Sequence, residues 1–160
     1  MTNLLTNFDL QHLCAQFDIP LHFVGFKEDL NHIPKLENGA YIINLDRTRS
    51  KGTHWVCFCK HGSTIMYYDS FGENAPVEVL HTCRKYKCSL IESHFHIQDL
   101  QDDSCGFYCL AFLHYMKDKQ LTNRDLNIYN DQFNTDDTRA NRKILEKIIQ
   151  SIAKKYSSFN

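Results

Sequence analysis

An α+β fold is predicted for this 160-residue chain, and three observations predict it. Stretches with strand character and stretches with helical spacing intermix without a regular strand–helix–strand alternation. Two adjacent strand-like runs, Thr53–Lys60 and Ser63–Asp69, are separated by only His61-Gly62 and are apolar on both faces, as expected of a hairpin central in a sheet. A third run changes from a polar, Asp-rich loop to helical spacing at a cysteine, Gln98-Asp-Leu-Gln-Asp-Asp-Ser-Cys105.

Taken in order, Leu10, Leu13, Cys14 and Phe17 form one apolar stripe, giving a packing helix that ends before Pro20. Residues 20–38 read as mixed, with a short helical turn around Glu28–Asn31. Asn38-Gly39 marks a turn into a strand over Ala40–Leu45, and 47–52 is a polar loop. The hairpin follows. With His61-Gly62 as its two-residue turn, Lys60 pairs with Ser63, Phe58 with Ile65 and Val56 with Tyr67. The same register sets His54 directly opposite Asp69, and Trp55, Cys57 and Met66 fall on the other face. Pro76 suits the start of a helix over about Val77–Tyr86. Ser89–Gln98 reads as a strand with His94 and His96 on one face.

From Cys105 the apolar positions Cys109, Phe112, Leu113 and Met116 predict a helix to about Lys117, with Ser104 or Asp103 as its cap. Residues 118–137 are polar and poorly patterned. Ile144, Leu145, Ile148, Ile149, Ile152 and Tyr156 then predict an amphipathic C-terminal helix within 138–160, and the whole of 1–160 is expected to be one domain.

Composition excludes little. The hydrophobic share of 42% and charged share of 23% are ordinary for a globular protein, and the net charge of −1 favours no polyanionic partner. The first residues lack both a basic and an apolar leader segment, and no run approaches membrane-spanning length. Seven cysteines without a leader are expected to be reduced thiols in a cytosol-like compartment.

The chemistry-bearing residues form one constellation. A thiol nucleophile needs a base, and the base needs a third group to fix its tautomer. Cys105 at a helix N-terminus is the candidate nucleophile, because free N–H groups and the dipole there favour a thiolate. His54 is the candidate base and Asp69 its orienting acid. Gln98 is the candidate oxyanion donor beside the Cys105 N–H, and Gln101 is the alternative. Trp55 and Gly106 are the candidate substrate-binding residues, Gly106 because it leaves room beside the nucleophile. Asp99, Asp102 and Asp103 crowd the same helix start, and their charge opposes a thiolate.

Gly52-Thr-His-Trp55, Tyr68-Asp-Ser-Phe-Gly72 and Gln98-x6-Cys105-Gly-Phe-Tyr-Cys109 resemble the three signature blocks of the adenovirus maturation protease (adenain) family. The resemblance is closer to the cysteine proteases of virophages and polinton-type elements, and runs from the entry region to about Met116. It implies a circularly permuted papain-like α+β fold, a central mixed sheet flanked by helices. It also implies a catalytic set of His54, Asp69, Cys105 and Gln98, with Asp69 where the adenovirus enzymes carry Glu. The implied activity is endopeptidase cleavage after Gly in Gly-Gly or Gly-x-Gly sites of capsid precursors. A monomer without cofactor or metal, acting in host cytoplasm and virion, is expected beside it.

Three alternatives stay open. One is a protease acting on a ubiquitin-like modifier, with the same chemistry. Another is a zinc-binding module using Cys57, Cys59, His61, Cys83, Cys88, His94 or His96. The third is weak DNA contact through Arg139, Arg142, Lys143 and Lys147, on a C-terminal segment in which Glu146 is the lone acid after Thr138. A merely solvated helix face explains those cations equally.

Overall fold

The computed structural model describes residues 4–45 and 54–157. The expected polar loop at 47–52 and the first residue of the expected hairpin, Thr53, lie outside them. In chain order the elements are α1 (Asn7–Gln16), β1 (Leu21–Phe26), a 3-10 turn (Lys27–His32), β2 (Gly39–Asn44), β3 (Trp55–His61), β4 (Thr64–Tyr68) and α2 (Val77–Lys85). After these come β5 (Ser89–Glu92), α3 (Cys105–Met116), α4 (Asn123–Asn130), a second 3-10 turn (Thr138–Ala140) and α5 (Asn141–Ser157). Among the described residues the strands form one mixed sheet in the order β1-β2-β3-β4-β5. The outer pairs β1–β2 and β4–β5 are parallel, and the inner pairs are antiparallel. Helices cover both faces, as expected of a central mixed sheet flanked by helices.

Strand alternation sorts the core into two layers. Val56, Phe58, Ile65 and Tyr67 face α2 and the first 3-10 turn, packing with Leu30, Val79 and Cys83. Trp55, Cys57, Cys59, Met66 and Tyr68 face the layer built from α1, α3, α4 and α5. The central hairpin is therefore buried on both sides, as its two-faced apolar pattern predicts.

The hairpin register differs from the expected one by two residues. Phe58 pairs with Tyr67, Lys60 with Ile65 and His61 with Thr64, so the two-residue turn is Gly62-Ser63. Gly62 has φ +60°, the conformation a II′ turn requires at its first central position, where glycine is favoured. A shift of two preserves which face each side chain occupies, whereas a shift of one would have inverted it.

Two elements were missed. β1 lies in the stretch read as mixed: it is an edge strand, partly buried along most of its length, so no clean alternation marks it. The expected turn at Glu28–Asn31 is the 3-10 segment. α4 lies in the stretch read as unpatterned, and its signal is a capping box. Thr122 Oγ1 accepts from the Asp125 N–H at 3.1 Å, while the Asp125 carboxylate takes the Thr122 N–H at 2.9 Å. Thr6 and Asp9 start α1 in the same way. α1 ends in a Schellman motif: Ile19 N–H donates to Cys14 O and Asp18 N–H to Ala15 O, with Asp18 at φ +55°.

α3 is the centre of the molecule. Every residue from Cys105 to Leu113 is buried, so the helix is apolar all round rather than striped. Phe112 stacks on Tyr68 at 4.4 Å between ring centroids and meets the edge of Tyr129 at 5.5 Å. Truncating a side chain such as Phe112 to Ala would cost roughly 3–5 kcal/mol. This packing fixes the helix, and with it Cys105 at its start.

Candidate active site

His54 directly precedes β3, and its carbonyl accepts the Leu45 N–H at 3.0 Å, tying it to the end of β2. Asp69 directly follows β4. Continuing the observed register sets Asp69 opposite Val56, so His54 reaches it across the diagonal, a span long side chains bridge. His54 Nε2 and Asp69 Oδ1 are 2.8 Å apart. Asp69 is 1% exposed. The same Oδ1 also accepts the Phe71 N–H at 2.9 Å, so its orientation is fixed by the backbone. The Phe71 ring lies against the imidazole, with centroids 4.8 Å apart.

The remaining imidazole nitrogen, Nδ1, is left for Cys105, whose thiol shares a hydrogen bond with this ring. Burial pulls the His54 pKa down, but the bonds and charges of Asp69 and Cys105 together outweigh it and push it up to about 9. Cys105 itself is 4% exposed, and the Trp55 backbone N–H points at its sulfur from 3.4 Å. Burial pushes the thiols of Cys14 and Cys83 up to about 12 and 11, and those of Cys57 and Cys59 higher still. None of the seven cysteines forms a disulfide.

Gln98 is buried, but not at the end of a strand. β5 stops at Glu92, because beyond it the chain leaves β4 and turns toward the residues after that strand. There Ser70 O accepts both the Ile97 and Gln98 N–H groups, at 2.8 and 3.0 Å. The Ser70 hydroxyl donates to Gln98 Oε1 at 2.5 Å, and Gln98 Nε2 donates to Asp102 O at 2.5 Å. His94 and His96 therefore do not share a strand face; both are exposed on irregular chain. Gly72 makes the close approach to this segment possible. It has φ +75°, and a Cβ there would sit 2.9 Å from His94 O. Gln101, by contrast, is exposed on the loop.

Two of the three acids at the helix start have an arginine nearby. Asp102 accepts the Ser104 N–H and O–H at 3.0 and 2.6 Å and lies 3.8 Å from Arg142, while Asp99 lies 3.8 Å from Arg139. Ser104 occupies the N-cap position, but its hydroxyl serves Asp102 rather than the helix.

The expected role of Gly106 needs correction. Leu5 occupies the space beside it, with Cδ1 3.0 Å from where a Cβ would be, so Gly106 admits the N-terminal segment rather than a substrate. Trp55 donates its indole N–H to Leu5 O at 2.8 Å. It also lines a groove of about 420 Å³ with Leu4, Leu5, Thr6, Gly25 and Phe26. Ser70, Phe71 and Leu5 were not anticipated as site residues. Ser70 and Phe71 lie within the Tyr68–Gly72 block, so proximity to Asp69 was their available signal; Leu5 had none. Cys57 and Cys59 turn into the core, and no cluster of three metal-ligating side chains assembles among the described residues. No helix among them is long and apolar enough to cross a membrane.

No family model and no curated protein sequence matches the chain. Solved structures do. The ASFV pS273R protease superposes with TM-score 0.57 at 16% identity, over 90% of this chain and 68% of that one. A second crystal structure of that protease gives 0.52 at 16% identity, over 90% and 67%. The Chlamydia trachomatis effector protein Cdu1, solved bound to ubiquitin, gives 0.54 at 15% identity, over 98% and 82%. The fold is that of the papain-like cysteine proteases. At these identities the likeness extends to the fold and no further.

Proposed function

We propose that the chain is a cysteine endopeptidase with Cys105 as nucleophile. The observation that carries this reading is one imidazole, His54, bonded to buried Asp69 at 2.8 Å and to the thiol that opens the central helix. His54, oriented by Asp69, takes the Cys105 proton, and the sulfur, beside the Trp55 N–H and the start of α3, acts as the nucleophile. Sγ attacks the scissile carbonyl carbon, and the oxygen takes up negative charge facing the Cys105 N–H and the second N–H of the Gln98 carboxamide. His54 then gives its proton to the leaving amine, releasing the first product and a thioester. Water, deprotonated by His54, hydrolyses that thioester. Asp69 keeps the imidazole oriented and stabilises its charge throughout.

The substrate reading follows the sequence resemblance: viral capsid precursors cut after Gly in Gly-Gly or Gly-x-Gly sites, by a monomeric enzyme of the virophage and polinton type acting in host cytoplasm and virion. The groove walled by Trp55, Leu4 and Phe26 lies next in the chain to His54 and offers apolar surface for a peptide's flanking residues. A second reading, cleavage at a ubiquitin-like modifier, is favoured by the likeness to Cdu1, solved bound to ubiquitin, over 98% of this chain. Weak DNA contact would fall to Lys143 and Lys147, since Arg139 and Arg142 already face Asp99, Asp102 and Glu146. A fluorogenic panel tests the assignment: Gly-x-Gly and Gly-Gly peptides beside ubiquitin carrying a C-terminal fluorophore. The capsid-precursor reading expects the peptides to be cut with kcat/KM at least comparable to ubiquitin. Turnover confined to ubiquitin would select the second reading, and a preference for large or charged residues before the cut would defeat both.

A further inference from the structure

Asn141 opens α5 and is fully buried, with 0% exposure. Its carboxamide makes three hydrogen bonds: Oδ1 accepts the Asn134 N–H at 2.7 Å, and Nδ2 donates to Asn134 O at 2.6 Å and to Ile97 O at 2.8 Å. A buried carboxamide is costly unless its groups are paired, and here both donors are used. Two of the bonds close the loop before α5. The third leaves that loop entirely and lands on the carbonyl that precedes Gln98.

That carbonyl shares a rigid peptide plane with the Gln98 N–H. The N–H end of the plane is bonded to Ser70 O at 3.0 Å, and the C=O end is bonded to Asn141. Both ends of one plane are thus held from opposite sides, Ser70 belonging to the turn after β4 and Asn141 to the start of α5. The segment has left the sheet by this point, so these two bonds do what a ladder would otherwise do.

We propose that Asn141 is a positioning residue for the oxyanion donor: it fixes the tilt of the Ile97–Gln98 peptide and so the direction of the Gln98 carboxamide. This inference rests on the reading of Gln98 as that donor. It gives the C-terminal helix a role in the reaction, independent of any contact by its cations.

The test is steady-state kinetics on Asn141→Ala, Asn141→Asp, Gln98→Ala and the double variant Gln98→Ala/Asn141→Ala, with kcat expressed per folded molecule. Asn141→Asp retains the shape and the acceptor for the Asn134 N–H but sets an oxygen against Ile97 O and Asn134 O in place of both donors; Asn141→Ser, which keeps a small polar group, serves if neither of these variants folds. Asn134→Ala, which perturbs the loop caps on Asp136 and Asp137 and leaves the Ile97 bond alone, is the control and should stay near wild type. Small misplacements of reacting groups cost up to about 10²-fold, so the Asn141 variants should lose roughly 10- to 100-fold in kcat with KM nearly unchanged. The double variant should be no slower than Gln98→Ala alone, because Asn141 acts through Gln98. Unchanged kcat in the Asn141 variants, or losses that multiply in the double variant, would overturn the inference while leaving Gln98 its role. Unchanged kcat in Gln98→Ala would remove the oxyanion reading and the inference with it.

Discussion

Replacing Asp69 by Asn removes one charge while disturbing the site's geometry very little. Oδ1 of Asp69 accepts both from His54 Nε2 and from the Phe71 N–H. In Asp69→Asn the Phe71 N–H holds the carboxamide oxygen in that position, so the imidazole keeps its partner and tautomer. What is lost is the carboxylate charge that helps raise His54 to about 9 against the downward pull of burial. The gap from an ordinary histidine at 6.5 amounts to about 3 kcal/mol at 1.36 kcal/mol per pH unit, shared between Asp69 and Cys105. Losing the Asp69 part should lower kcat/KM by roughly 10- to 100-fold, well short of the effect of His54→Ala. The alkaline limb of the wild-type pH–rate profile should fall through about 9 as His54 loses its proton, and in Asp69→Asn it should move to clearly lower pH. Because the folded-state pKa is raised, the pair's contribution to stability is complete below about 6.5 and is lost as pH rises through about 9. Thermal melts of wild type should therefore weaken over that window, and those of the variant less so. A pH–rate profile and melting curve that Asp69→Asn leaves unchanged would refute the coupling and turn attention to another acid for His54.

Iodoacetamide at neutral pH should label Cys105 ahead of the other thiols, since burial raises Cys14, Cys57, Cys59 and Cys83; peptide mapping that finds any of those four first would contradict the assignment. Gln98→Ala should lower kcat by on the order of 10²–10³-fold with little change in KM, whereas Gln101→Ala should stay within about threefold of wild type. The reverse order would transfer the oxyanion role to Gln101. Gly72→Ala meets both a positive φ and the His94–Phe95 backbone, and denaturant melts should show a loss of roughly 1–3 kcal/mol.

The two layers of the core were legible in the sequence because period-2 alternation in β3 and β4 survives a register error of two. The partner of His54 was inferred from a direct pairing that the molecule does not use, yet the same-face relation placed Asp69 within reach all the same. Gln98 was legible by its spacing to Cys105 but not by its environment. Its support comes from Ser70, 28 residues earlier, and from Asn141, whose bond to Ile97 spans 44 residues. Long-range hydrogen bonds of that kind leave no periodic trace. β1 leaves little trace because an edge strand needs no strict alternation, and the sequence signal of α4 is a Thr-x-x-Asp capping box set in a polar stretch. Gly106 was misread because a glycine beside a nucleophile suggests open space, and only the folded chain shows Leu5 filling it.

Turnover of a Gly-x-Gly fluorogenic peptide by wild type and by Cys105→Ala decides whether Cys105 is the nucleophile of a peptidase. Wild type should cleave the peptide and Cys105→Ala should not, with far-UV circular dichroism and melting behaviour retained. Cleavage by a folded Cys105→Ala protein at the wild-type rate would contradict that assignment.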